Sequence, residues 1–278
     1  MPGTRLRLFG GLLLALAGAQ GQGAPLNRSE QTIANFSFAS QLGSGIYSVN
    51  GRTIQIYRLP IQWTYREPAQ GSTGVMLLLP LTLGFYDFNV EDVLQTRLPR
   101  SVDTLSFVPG VQFSRRLPGQ WLASAFLQGG IAKERTSTAD ALTWATGLGI
   151  DRDVPIAPFA VHLQSHLVYA QTLFRDRPDD AMLRLASGVE ARAPLHAAIR
   201  GTALDYSLYG LNEWYLRRPD PPLASQGLPI TAVQWELGVT LGTVEPLRIW
   251  KVPLPRLGLG YRFGDSLSVF RLVFGAPF

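Results

Sequence analysis

Between residues 57 and 66 apolar and polar side chains alternate without a break. Tyr57, Leu59, Ile61, Trp63 and Tyr65 are separated by Arg58, Pro60, Gln62, Thr64 and Arg66. A helix would scatter those five apolar residues around its circumference, whereas an extended strand puts them on one face. The pattern recurs along the chain. Val75, Leu77, Leu79, Leu81, Leu83 and Phe85 form the next face. Leu105, Phe107, Val111 and Phe113 follow, then Trp121, Ala123, Ala125, Leu127 and Ile131, then Leu142, Trp144, Leu148 and Ile150. Phe159, Val161, Leu163, Leu167 and Tyr169 make another face, as do Leu183, Leu185 and Val189, and Val233, Trp235, Leu237, Val239 and Leu241. The chain is therefore expected to be all-β. Strands of this kind either bury their apolar faces against a second sheet or turn them toward lipid.

The two termini decide for lipid. Arg5 and Arg7 precede an apolar stretch at residues 8–16, and Ala17, Gly18 and Ala19 offer a small-residue cleavage site. That order reads as a secretory signal peptide over 1–19, with cleavage sites up to Gly23, and it is too short to span a bilayer as a helix. At the other end Phe270, Leu272, Phe274, Ala276 and Phe278 recur at every second position, with Arg271 and Gly275 between them. This ending resembles the C-terminal assembly signal of bacterial outer-membrane barrels, carried by Phe270, Leu272, Phe274 and Phe278. In lipid every backbone amide needs a partner, so strands can span only as a closed barrel. The expected organisation is a cleaved signal at 1–19, a periplasmic segment at 20–35 and an outer-membrane barrel over 36–278.

Composition excludes more than it suggests. The chain has no Cys, which removes disulfides, thiolate metal sites and thiol nucleophiles. Its 25 basic and 20 acidic residues become 23 and 20 once Arg5 and Arg7 leave with the signal, a charge of +3 that is too mild to argue for nucleic acid.

Loop lengths give a strand count. The long connections fall near 87–102, 133–140, 171–180 and 205–228, and shorter ones near 67–73, 115–119, 151–157, 193–194 and 242–246. Outer-membrane barrels have short periplasmic turns and longer extracellular loops. Alternating the two sets needs an upward strand at 36–48, a strand at 195–206 that slips phase near Leu204, and one ending in Leu257, Leu259, Tyr261 and Phe263. The result is a closed antiparallel transmembrane β-barrel of about twelve strands. Asn50 and Gly51 supply a hairpin signal, because both tolerate positive φ. An alternative makes 29–42 a helix capped by Ser29 that plugs the barrel. Pro60, Pro80 and Pro109 each remove a ladder donor and are expected at bulges or rims. Trp63, Tyr65, Phe113, Trp121, Phe159 and Phe278 fall at periplasmic ends, and Phe85, Tyr169, Tyr261 and Phe263 at outer ends, as two aromatic belts.

With this pattern in place, the stretches GFYDFNVEDVL (84–94), SVDTLSFVPGVQF (101–113) and GLGYRF…RLVFGAPF resemble the solitary autotransporter-type barrels of Gram-negative outer membranes. The resemblance covers about residues 30–278. It implies a translocation-type barrel without a passenger, in contact with outer-membrane lipids and, through its last strand, with the barrel-assembly machinery.

No catalytic, cofactor or metal residues are expected. His162, His166 and His196 all fall on inward positions. His162 and His166 lie four apart on one strand, about 13 Å by strand rise, too far to share a metal. Ser165 sits on the opposite face from both, so no Ser–His pair forms. Gly258 and Gly260 read as inward strand positions, not as a nucleotide cradle. The inward face instead carries Arg58, Arg66, Arg184, Arg192, Arg200, Arg262 and Arg271 against Glu190 and Glu236. Three readings follow: a structural barrel or narrow conduit, an anion-preferring pore, and a lipid-modifying barrel enzyme.

Overall fold

The structure, a computed structural model, describes residues 45–49, 52–86, 104–134, 140–174, 179–199, 201–218, 232–244, 248–249, 252–253, 256–264 and 267–275. The signal peptide, the 20–35 segment, the 29–42 helix alternative, most of the 36–48 strand, the 50–51 turn, the 87–102 loop, Arg200 and Phe278 lie outside the described residues. Every element below belongs to one compact unit, 32–278.

Thirteen segments form one sheet, and two of them are one strand interrupted at Val108 and Pro109, so the strands number twelve. They are β1 (Gly45–Val49), β2 (Arg52–Arg66), β3 (Thr73–Tyr86), β4 (Thr104–Phe107 and Gly110–Arg116), β5 (Trp121–Glu134) and β6 (Asp140–Ile156). Then come β7 (Phe159–Leu173), β8 (Asp180–Ile199), β9 (Thr202–Arg217), β10 (Val233–Thr243), β11 (Leu257–Gly264) and β12 (Leu267–Phe274). All neighbours are antiparallel. Consecutive strands pair in order from β1 to β12, and β12 pairs back onto β1, so the ladder returns to its start. A sheet with two partners for every strand closes on itself as a barrel, which removes free edges. The closing joint is short: Ile46, Tyr47 and Ser48 meet Phe270, Val269 and Ser268.

The alternation sets the two faces. Leu59, Ile61, Trp63, Leu127, Leu148, Leu208 and Leu237 are exposed on the outer face, while Leu78, Thr82, Gln128, Thr143, Gln164, Ser207 and Glu236 are buried on the inner one. A period of two leaves no other arrangement, since a one-residue slip would exchange the faces.

Several expectations need correction. The first described residue of β1 is Gly45, and β2 begins at Arg52, five residues before the alternation becomes clear. β1 and β2 pair up to Val49 and Arg52. The turn expected at 193–194 does not exist. β8 runs through Pro194 to Ile199, and β9 starts at Thr202 after Gly201, whose φ is 83°. Pro194 is tolerated because the ladder is irregular beside it: the register shifts between Ala203 and Asp205, the slip expected at Leu204, and Asp205 is the partner of Pro194. The 205–228 loop is likewise a strand as far as Arg217. The 242–246 connection is longer than expected, covering 244–256 and carrying a small ribbon, Arg248–Ile249 against Val252–Pro253.

Pro60 and Pro80 are neither at bulges nor at rims. They are direct partners across β2 and β3, and the register there is continuous. The Pro80 carbonyl accepts from the Val108 amide at 3.5 Å, so it faces β4. In an antiparallel strand the N–H of a residue points the same way as its C=O. The donor Pro80 lacks is therefore missing on the β4 side, where β4 is interrupted. The missing donor of Pro60 points away from β3, beyond Ile56, the last residue of β2 that pairs with described β1.

Candidate functional site

The inner faces of β8 to β12 carry a continuous network of ion pairs. Arg184 Nη1 donates to Glu213 Oε1 at 2.7 Å. Arg262 Nη1 donates to Glu213 Oε2 at 2.8 Å, and its Nε donates to Glu236 Oε2 at 2.8 Å. Arg271 Nη1 donates to the same Glu236 oxygen at 2.6 Å. The chain of contacts Arg184–Glu213–Arg262–Glu236–Arg271 thus ties β8, β9, β10, β11 and β12 together from inside. Glu213 and Glu236 are almost wholly buried. Buried charges are tolerated only when paired and hydrogen-bonded, which each of these is.

Tyr209 completes the upper group. Its hydroxyl donates to Glu236 Oε1 at 2.7 Å, so the ring crosses from β9 over β10. Only glycine leaves room beneath it. A Cβ at Gly238 would run into the Tyr209 ring, and one at Gly260 would run into the Tyr209 hydroxyl and Glu236. Gly260, inward in GLGYRF, therefore relieves crowding under Tyr209. Tyr215 donates to Glu213 Oε2 at 3.1 Å.

A second group lies nearer the 244–256 end. Arg192 Nη2 donates to Glu190 Oε2 at 2.6 Å. Arg256 Nη1 donates to Asp205 Oδ1 at 2.5 Å and its Nε to Thr240 Oγ1 at 2.9 Å. Ser207 and Thr240 share a hydrogen bond of 2.7 Å. A third group sits on β6 and β7. His162 Nδ1 is 2.8 Å from Asp153 Oδ1, and His166 Nε2 is 3.1 Å from Asp151 Oδ1. Among the described residues no three such side chains converge to hold a metal. Ser165 faces outward, bonded to Ser187 at 2.8 Å.

Of the residues singled out in the sequence, the structure brings together Arg184, Arg192, Arg262, Arg271, Glu190 and Glu236 on one wall. Arg58 holds an inward position on β2, and Arg66 is exposed at the end of β2. His196 is exposed on β8. In the terminal strand Phe270 points outward and is exposed, and Phe274 pairs with Leu257. The reading of the sequence missed Asp151, Asp153, Asp205, Tyr209, Glu213, Tyr215 and Arg256. Asp205 to Tyr215 had been placed in a loop, and the aspartates of β6 in a turn. A signal existed in β9: Asp205, Ser207 and Glu213 share one parity, opposite Leu208, Trp214 and Leu216. These acids offset the cation excess expected for the lumen.

The outer face complements this interior. Among described strand positions, its charged residues lie near strand ends, Arg115 and Arg152 at one end and Lys133 at the other. Arg152 lies over the Trp121 ring at 5.2 Å. One end carries Trp63, Tyr65, Phe113, Trp121 and Phe159. The other carries Trp144, Tyr169, Trp214, Trp235, Tyr261, Phe263 and Phe270, with Trp144 and Tyr169 rings 5.2 Å apart. No protein-family model matches the chain, and no curated protein is significantly similar to it.

Proposed function

We propose that this chain is an integral outer-membrane β-barrel of the solitary autotransporter type. Its lumen is occupied by its own side chains, and its role is structural or that of a narrow conduit, without enzyme activity. The observation that carries the reading is a cyclic sheet with an apolar exterior and an ion-paired interior. A soluble sandwich has the opposite requirement, with apolar faces inside. The stretch of outer face from Ala123 to Ile131 rises about 27 Å along β5 at strand spacing, or about 20 Å vertically at the usual tilt. That is close to the height of the apolar band of known barrels. Polar outer residues are also quenched locally: Thr146 Oγ1 donates to the Phe126 carbonyl at 2.9 Å.

An anion-preferring pore was favoured by an excess of inward arginines, but Glu213, Asp205 and the β6 aspartates counter them, so that reading has no separate support. The test is fractionation with planar-bilayer recording. The expected protein sediments with outer membranes, migrates faster on gels unheated than heated, and gives no steady pore of porin size. A large, steady, anion-selective conductance would replace this reading with the pore. A protein that stays in the soluble periplasmic fraction would remove both.

A further inference from the structure

Arg115 and Arg152 stand on the outer face at the end marked by Trp121. Arg115, near the end of β4, is the cross-strand partner of Ala123 on β5, and Arg152 on β6 is the partner of Trp121. Phe113, two residues before Arg115, and Leu163, the β7 partner of Arg152, are both exposed, which fixes the two arginines on that face. By strand spacing their Cα atoms are about 12 Å apart, within the combined reach of two arginine side chains.

Neither charge is cancelled by the barrel. Asp151 and Asp153 flank Arg152 in the chain, but strand alternation turns both inward. There Asp153 Oδ1 lies 2.8 Å from His162 Nδ1, and Asp151 Oδ1 lies 3.1 Å from His166 Nε2. Arg152 instead lies over the Trp121 ring at 5.2 Å, a contact that orients the guanidinium and brings no formal charge. Its Nε has no hydrogen-bond partner among the described residues. At the rim Arg116 donates its Nε to the Pro68 carbonyl at 3.2 Å, a neutral acceptor. Three cations thus gather round one end of β5, and among the described residues no carboxylate forms an ion pair with any of them.

From these cations a trough runs toward mid-bilayer. Phe113 on β4, Ala125 on β5 and Leu148 on β6 are partners in one row, and Ala123 and Ile150 are partners in the row beside it. Phe113, Leu148 and Ile150 are exposed ridges, and the two alanines between them make a low floor.

We infer that the outer face of β4 to β6 binds one anionic phospholipid, with its phosphate between Arg115 and Arg152 and one acyl chain along Ala123 and Ala125. This rests on the membrane-barrel reading above. The planar forks of arginine match phosphate oxygens. The ligand is a lipid because the apolar trough continues from the cations, where free phosphate would gain nothing. It is anionic because a zwitterionic headgroup brings its own cation to a cluster that has no acid to receive it.

Native mass spectrometry of the full-length barrel, titrated with phosphatidylglycerol in detergent micelles, gives the affinity of the first bound lipid. Wild type should fill one site well before any others and should prefer phosphatidylglycerol to phosphatidylcholine. Arg115→Gln with Arg152→Gln should weaken that site about fivefold for each arginine. Lys133→Gln with Arg217→Gln removes the same charge at the other end of the barrel and should leave the site nearly unchanged. Ala125→Trp, which fills the trough, should also weaken it. The heat-modifiable gel shift identifies the folded form of each variant. Equal losses in the two double variants overturn the proposal. So does equal affinity for phosphatidylcholine, an unaffected Ala125→Trp protein, or displacement of the lipid by inorganic phosphate at equal concentration. Failure of the membrane reading is distinct: wild type would show no gel shift and would not partition into vesicles at all.

Discussion

Glu236 is the side chain on which the inner wall depends most. It accepts from Arg262 at 2.8 Å, Arg271 at 2.6 Å and Tyr209 at 2.7 Å, and it is about 1 % exposed. Replacing it with alanine leaves Arg184, Arg262 and Arg271 facing Glu213. Charge-assisted hydrogen bonds contribute about 1.5–3 kcal/mol each, so a simple sum for three contacts exceeds 4 kcal/mol. That sum is too high, because Arg262 keeps Glu213 at 2.8 Å. The applicable figure is the cost of removing one partner from a buried pair, about 3–5 kcal/mol. Urea titration of protein refolded into lipid vesicles, followed by the heat-modifiable gel shift, measures this directly. Arg192→Ala is the internal comparison. Its own side chain is 38 % exposed but its partner Glu190 is fully buried, so its loss strands a buried carboxylate and should also be destabilising, less than Glu236→Ala because only one arginine contact is lost. A Glu236→Ala protein within 1 kcal/mol of wild type would refute the idea that this network holds β9 to β12 together.

Three further outcomes follow from the same geometry. Leu79→Arg should block assembly far more than Gln62→Arg, since arginine at mid-bilayer costs about 2–4 kcal/mol while Gln62 faces inward; equal outer-membrane yields would mean the faces are misassigned. Gly260→Ala should lower stability by about 1–3 kcal/mol by displacing Tyr209, whereas Gly129→Ala, with nothing within 4 Å of the added Cβ, should change it little in the same urea assay. Deleting Phe278 should abolish the gel shift in cells, because the terminal alternation is what the assembly machinery is expected to read; normal folding of the truncated chain would discard that role.

The β architecture was legible from residues such as those of β2, because two-residue alternation between outer and inner faces is a local property. Strand number also came through, since turns recur at a regular spacing. The errors were confined to places where local signals conflict with long-range pairing. Pro194 looks like a turn by itself, but the bulge at Leu204 on the neighbouring strand admits it into β8. β9 was lost because Tyr209, Leu211 and Tyr215 put apolar bulk on the inner face and blur the alternation. The network was only half visible for the same reason. The inward arginines lay in clearly alternating strands, while Glu213 and Asp205 lay in the stretch 205–228, read as a loop, and Arg256 in a Pro-rich segment without clear alternation. Pairing distances such as those around Glu236 depend on which strands become neighbours, which no single stretch of sequence states.

The central claim is that the outer face of the twelve-strand barrel meets lipid. Spin labels placed one at a time at residues 76 to 82 of β3, in vesicles, test it most directly. Collision with oxygen, which concentrates in the bilayer, should peak at 77, 79 and 81, with the deepest position at Leu79. Collision with a water-soluble nickel reagent should be low at those three positions. A label at Leu79 that meets the aqueous reagent freely, or the absence of a two-residue period, would contradict the account.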